Sequence, residues 1–174
     1  GECRFSEGTE VISGGIITER KLKIIKRQRQ MAFLKLEDIY GQYEVLIFPD
    51  AFDRYRAKTE LDQKVYLHGR ISIGRDENAS LIADRIISFD ELKKELWIAF
   101  GDKNAYDMRA SELEDICFEN QGTADAVVYL RKEKAVKKLG RELAVSDSAE
   151  VITRLKDAFG ADNVRLRELP PKFR

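Results

Sequence analysis

The sequence predicts a small five-stranded β-barrel followed by a compact α+β domain, and three observations carry that prediction. Short apolar, β-branched runs recur between Val11 and Phe89 with turn residues between them; one amphipathic helix interrupts them after the third run; beyond Glu95 helical periodicity starts to alternate with strands. At 174 residues, 43% of them hydrophobic and 36% charged, the chain has material for two cores and ample charge to cover them.

The first run, Val11 to Thr18, contains the pair Gly14-Gly15, and glycine inside a strand marks a bulge or a sharp barrel bend. Arg20 to Gln30 reads as a long basic loop, Met31 to Leu36 as the second strand, and Glu37, Asp38 and Gly41 as a turn into the third, Tyr43 to Phe48, which Pro49 stops. Asp50 to Lys58 sets Phe52 and Tyr55 at helical spacing among charges, so one short helix is expected there. Val65 to Ile73 alternates, with Val65, Leu67 and Ile71 on one face and Tyr66, His68 and Arg70 on the other. A polar turn, Gly74 to Ala79, leads into the fifth strand, Ser80 to Phe89. Five short strands with a helix after the third is the order of an OB-fold, an all-β five-stranded barrel.

The strand pattern lapses over Asp90 to Glu95, so residues 11–92 are expected to form the barrel domain and 93–169 the second domain. Residues 1–10 read as a leader or boundary, 170–174 as a polar, proline-led, frayed tail, and the opening Gly1 suggests a piece of a longer chain. The second domain is expected to run strand Leu96 to Phe100, helix Ala105 to Glu119, strand Ala126 to Leu130, strand Glu142 to Ser146, helix Ala149 to Phe159, and strand Val164 to Leu169. Ser148 suits the N-cap of the later helix and Gly160 its end. This β-α-β-β-α-β order is compatible with a ferredoxin-like split fold.

The 31 basic and 31 acidic residues cancel, so any attraction for a polyanion must come from a local cluster. Cys3 and Cys117 are too few for a disulfide framework and lack metal-ligand spacing, which suits a reduced cytoplasmic protein. No run approaches the roughly 18 apolar residues of a membrane span, and no membrane partner is expected.

One cluster stands out: Arg20, Lys21, Lys23, Lys26, Arg27, Arg29 and Lys35 fall between Glu19 and Glu37 with no carboxylate among them. In an OB barrel this run joins strands one and two, which with the face of strands two and three and the loop between strands four and five forms an oligonucleotide cleft. Cations there neutralise phosphates, giving salt-dependent affinity without sequence preference. Phe33 and Tyr43 lie on the adjoining strands as candidates to stack on bases; a core position is the alternative for each, because a bulge inverts strand parity. Arg75 in the turn after strand four extends the cleft, although Asp76 and Glu77 beside it oppose a phosphate.

Catalysis finds no support in the pattern. His68, the only histidine, is expected solvated on the polar face of strand four, and Glu37 and Asp38 point to opposite faces of a strand, which disfavours a shared metal. There is no phosphate-cradling glycine loop, nucleophile elbow or zinc helix, so no catalytic residue, metal or cofactor is predicted.

Three segments carry a resemblance: Val11-Ile12-Ser13-Gly14-Gly15-Ile16-Ile17-Thr18, Met31-Ala32-Phe33-Leu34-Lys35-Leu36-Glu37-Asp38, and Tyr43-Glu44-Val45-Leu46-Ile47-Phe48-Pro49. Together with Lys64 to Ile73 they resemble the OB region of the bacterial DNA polymerase III alpha subunit, and the remainder is similar in element order to the region that follows it. The resemblance implies a non-catalytic part of a replicative polymerase that holds single-stranded DNA, with a C-terminal domain that contacts clamp-loader subunits, while the polymerase carboxylates lie upstream in the parent chain. The turn Lys26-Arg27-Gln28-Arg29-Gln30 departs from the family in having no glycine, and no clamp-binding peptide is evident. Two alternatives stand beside this reading: an OB-fold anticodon module of a class II aminoacyl-tRNA synthetase, which shares the Phe-x-x-Leu-x-Asp strand, and a fragment serving mainly protein interaction.

Overall fold

The computed structural model describes residues 5–173; Cys3 and Arg174, which figure in the expectations above, lie outside the described residues. The chain divides into two compact units, one comprising residues up to Glu91 together with those from Pro171 on, the other running from Leu92 to Pro170.

In the first unit, β1 (Glu10–Ile24), β2 (Gln30–Asp38), β3 (Gly41–Ile47), β4 (Lys64–Ile73) and β5 (Ala79–Ser88) close into a barrel of order β1-β2-β3-β5-β4, and α1 (Pro49–Tyr55) follows β3. All pairings are antiparallel except β3 with β5. This is an OB fold. Alternation explains the core: Leu34 and Leu36 of β2, Val45 and Ile47 of β3, and Val65 and Leu67 of β4 all turn inward and are buried. Pro49 at the first turn of α1 supplies a preset φ and needs no N–H partner, and the helix drives Phe52 fully into the same core.

The long first strand changes partner midway, pairing with β4 over Glu10 to Ile16 and with β2 from Ile16 to Ile24. The glycine pair makes this corner possible without being the bulge itself. A Cβ on Gly15 would stand 2.7 Å from the carbonyl oxygen of Glu37, and one on Gly14 would stand 2.7 Å from the Tyr66 ring. The register break comes later, at Thr18, between the pairs Ile17–Leu36 and Glu19–Lys35. Before it the odd residues Gly15 and Ile17 face inward; after it the even residues share the side of Leu34 and Ala32.

Three expectations do not hold. The basic segment is no long loop: Arg20 to Ile24 extend β1 and pair with Leu34 to Gln30 of β2, leaving a short turn closed by a hydrogen bond from Ile25 N–H to the Arg29 carbonyl. His68 is not solvated. Its side chain is 14% exposed, Nδ1 lies 2.6 Å from the Asp84 carboxylate, and its ring centroid is 5.7 Å from that of Phe173, which therefore packs rather than frays.

The second unit contains β6 (Lys94–Phe100), α2 (Lys103–Glu119), β7 (Gln121–Leu130), β8 (Ala135–Lys138), α3 (Ala149–Phe159) and β9 (Val164–Glu168). Its sheet has the order β8-β7-β6-β9, and its core sets Leu96, Ile98 and Val128 against Leu113 of α2 and Leu155 and Phe159 of α3. Both helices are capped: Asp102 accepts a hydrogen bond from Ala105 N–H and Ser148 one from Val151 N–H. Gly160, at φ +97°, ends α3. The element order is as expected but the split is not. A ferredoxin-like sheet would insert a strand between the first two, whereas β6 and β7 pair directly and in parallel. The strand expected over Glu142 to Ser146 is instead a helical turn, Arg141–Leu143, with Val145 bridging Gln121 and Ala124. The strand in that place is β8, short, exposed and lysine-bearing, as edge strands often are.

Candidate nucleic-acid interface

Strand parity sorts the basic cluster into two sets. Arg20 falls on the inner side of the hairpin, where its side chain is only 17% exposed; its guanidinium donates to Thr59 Oγ1 at 3.3 Å, lies 3.5 Å from Glu60, and sits 5.8 Å from the centre of the Phe52 ring. Arg29 is clasped to α1 by Asp50 at 2.6 Å and Asp53 at 3.1 Å, and its hydrogen bond to Asp50 foremost raises its already high pKa. Arg56 donates to Gln30 beside it. Arg20, Arg29 and Arg56 together hold the hairpin to the barrel and its helix.

Lys21, Lys23, Lys26 and Arg27 are different: each is exposed, and none has an ion pair or side-chain hydrogen bond among the described residues. Lys21 pairs across the ladder with Phe33 on the outer face, and Phe33 pairs with Leu46 of β3. Phe33 is 37% exposed, so its inward alternative is excluded. Around it a shallow cleft of about 220 Å³ is lined by Lys21, Lys35, Glu19 and Glu44. Lys35 donates to Glu19 at 3.0 Å, which pulls the Glu19 carboxyl below its ordinary range.

Tyr43 does not join this cleft. It shares the inward parity of Val45 and Ile47, packs against the barrel core, and receives a 2.7 Å hydrogen bond from Ser13 Oγ; burial pushes its phenol pKa up. Met31 is likewise buried, at 7% exposure. Arg75 stands exposed in the β4–β5 turn, where Asp76 turns its carboxylate to the Asn78 side chain instead. Because Ser80 pairs with Glu44 while Ala32 pairs with Ile47, the Arg75 turn and the basic hairpin flank the β2–β3 face from opposite ends. Asp38 closes the β2–β3 turn by accepting from the N–H groups of Tyr40 and Gly41.

A larger groove, about 700 Å³, lies elsewhere on the barrel, with Gly14 and Gly15 along it and Ile16, Ile39, Tyr40 and Tyr66 around it; Tyr66 stacks on Phe89 at 4.5 Å. Its charges are Glu37, Asp38 and one lysine, Lys64, a balance that repels phosphate. The lining of the Phe33 cleft is itself balanced, two lysines against two glutamates, but Lys23, Lys26 and Arg27 of the adjoining hairpin tip that side positive, and for a polyanion charge outweighs size.

The hairpin tip also shows what replaced the missing glycine: Arg27 and Gln28 adopt left-handed φ of 61° and 59°. A second basic run, Arg131 to Arg141, with six cations and the single carboxylate Glu133, is absent from the expectations above. It forms the β7–β8 hairpin and its approach, and the same count of charge along the chain finds it.

Residues 11–88 match the family model of the OB-fold nucleic acid binding domain. Over 167 residues, 91% of the chain, it is 25% identical to DNA polymerase III subunit alpha of Buchnera aphidicola, and over 169 residues it is 25% identical to that subunit of Halalkalibacterium halodurans. The chain spans only 14% and 15% of the length of these two proteins. Among solved structures, the SSB domain of a Synechococcus protein aligns with 48% of the chain and 98% of its own length, at 16% identity and a TM-score of 0.41.

Proposed function

Starting from a chain homologous to the C-terminal region of the DNA polymerase III alpha subunit, we propose that its barrel binds the single-stranded template, without doing chemistry on it. Lys21, Lys23, Lys26 and Arg27 neutralise backbone phosphates, Phe33 offers a ring to a base, and Arg75 marks the far end of the path. The observation that carries this reading is the partition of the basic cluster, in which four unpaired cations share a hairpin with an exposed ring while the remaining arginines are consumed in holding that hairpin in place. Contact with phosphates follows from charge, and stacking from the exposed π-face.

The anticodon alternative accounts for the barrel alone, whereas the similarity to polymerase subunits runs through both units, which favours the replicative reading. In the same reading the unit from Leu92 to Pro170 meets clamp-loader subunits, and capture of those subunits by the full chain, lost when residues 92–170 are deleted, tests it.

The barrel assignment is tested by fluorescence anisotropy of labelled oligo-dT with the full chain and with the K21Q/K23Q/K26Q/R27Q variant. At about 0.7 per phosphate contact on single strands, the slope of log K against log salt is expected to fall by about three in the variant. Unchanged affinity and slope overturn it. Tighter binding to a tRNA anticodon stem than to oligo-dT turns the assignment to RNA.

A further inference from the structure

The sheet of the second unit packs one face against α2 and α3, and among the described residues no helix of that unit lies on the other, whose centre, Val127, is fully buried beside Trp97. Strand register lays out that open face. Trp97 of β6 lies between Val127 of β7 and Arg165 of β9; Glu95, two residues back, lies between Asp125 and Arg167; Ala99 lies opposite Tyr129. Trp97 and Tyr129 are thus diagonal neighbours on the two central strands, both half-buried.

The charges around them are arranged for an anion. Glu95 is almost completely buried, and its carboxylate is already satisfied by Lys138 Nζ at 2.8 Å and by the Trp97 indole N–H at 2.9 Å. That second bond fixes one edge of the indole and leaves no free polar atom on it. Arg165 and Arg167 are exposed and have no ion pair within 4 Å among the described residues, although the charge of Arg167, across the ladder from Glu95, helps to keep that carboxylate ionised. At the other end of the diagonal, next to Tyr129, the β7–β8 turn presents Arg131, Lys132 and Lys134, also exposed and without a side-chain partner; Glu133 between them is occupied by the backbone N–H of Lys103. Asp125 has no hydrogen bond or ion pair among the described residues, and its charge acts on Lys138.

We propose that this open face is a second binding surface for single-stranded DNA, entered at the β7–β8 turn and left at Arg165 and Arg167, with bases stacked on Tyr129 and Trp97. Two aromatic rings on neighbouring central strands of an open four-stranded sheet, with cations at both ends of the diagonal, supply the stacking platform and the phosphate contacts a single strand requires. The proposal does not depend on the barrel cleft.

Trp97 is the only tryptophan in the chain, so its emission reports on this face alone. The full chain is titrated with oligo-dT while tryptophan emission and the anisotropy of the oligonucleotide are followed together. Saturable quenching is expected. It persists in K21Q/K23Q/K26Q/R27Q, whereas R165Q/R167Q weakens the quench-detected binding and lowers its salt slope by about 1.4, at about 0.7 per phosphate contact. Far-UV circular dichroism establishes that both variants are folded. Emission that stays constant while the oligonucleotide binds overturns the proposal, as does quenching that vanishes with the barrel variant and survives R165Q/R167Q. A response to poly-glutamate and none to oligo-dT assigns the face to an acidic protein segment instead and equally overturns it.

Discussion

Lys21 stands directly across the β1–β2 ladder from Phe33, one residue along from Arg20, whose side chain goes the other way to Thr59 and Glu60. Neighbours in the sequence therefore do different work, one open to a ligand and the other bonded into the barrel.

The hairpin tip holds two non-glycine residues at left-handed φ, a conformation that costs an L-residue roughly 1 kcal/mol. Gln28→Gly relieves one of them. The expected gain is up to about 1 kcal/mol, partly offset by the freedom glycine adds to the unfolded chain, and it is read as a higher urea midpoint at unchanged m-value.

Gly69 lies where β4 meets β5 at a register shift, and a Cβ there would stand 2.1 Å from the carbonyl oxygen of Ile82. The obstructing atoms belong to backbone that the barrel holds from both sides. Gly69→Ala is expected to destabilise the first unit by about 1 to 3 kcal/mol, as overpacking does, measured by denaturant unfolding.

Lys138 foremost, with the Trp97 indole assisting, holds the Glu95 carboxyl below its ordinary 4.5. The folded pKa is depressed, so the stabilisation is present above about pH 4.5 and drains away as pH falls through the lower folded value. Glu95→Gln is expected to flatten the acid limb of the stability curve below that pH, which thermal melts between pH 6 and 3 would reveal. A limb of unchanged steepness speaks against the pairing.

Cys117 is fully buried in the second unit, and burial, with the charge of Glu114 adding, pushes its thiol up to about 11. In a Cys3→Ser background the folded chain is expected to leave a thiol reagent such as Ellman's unreacted at pH 8, and to react with one equivalent in denaturant. Reaction in the native state at the rate of a free thiol would contradict the burial.

Much of the barrel was legible because one-sided burial prints a period of two on the chain, as in Val65 to Ile73. The hairpin was misread although its signal was present: Leu22 and Ile24 alternate with Lys21 and Lys23, but density of charge suggested a loop. β8 was harder, since an edge strand of four exposed residues prints no burial pattern at all. The fates of Arg20, Arg29 and Tyr43 lay beyond one-dimensional reading, because their partners Thr59, Asp50 and Ser13 are brought near only by closure of the barrel.

Thr18 gives β1 something like a reading frame. Were the strand to run past Thr18 without the bulge, the alternation would continue unbroken from Gly15 and Arg20 and Leu22 would change places with Lys21 and Lys23. No charge would be lost, and composition would not change at all. Yet the hairpin would present the wrong cations and bury the right ones, so the choice of side chains offered to a ligand rests on one unpaired residue, and deleting Thr18, which sets Glu19 directly after Ile17 as Lys35 stands beside Leu36, would leave that choice intact.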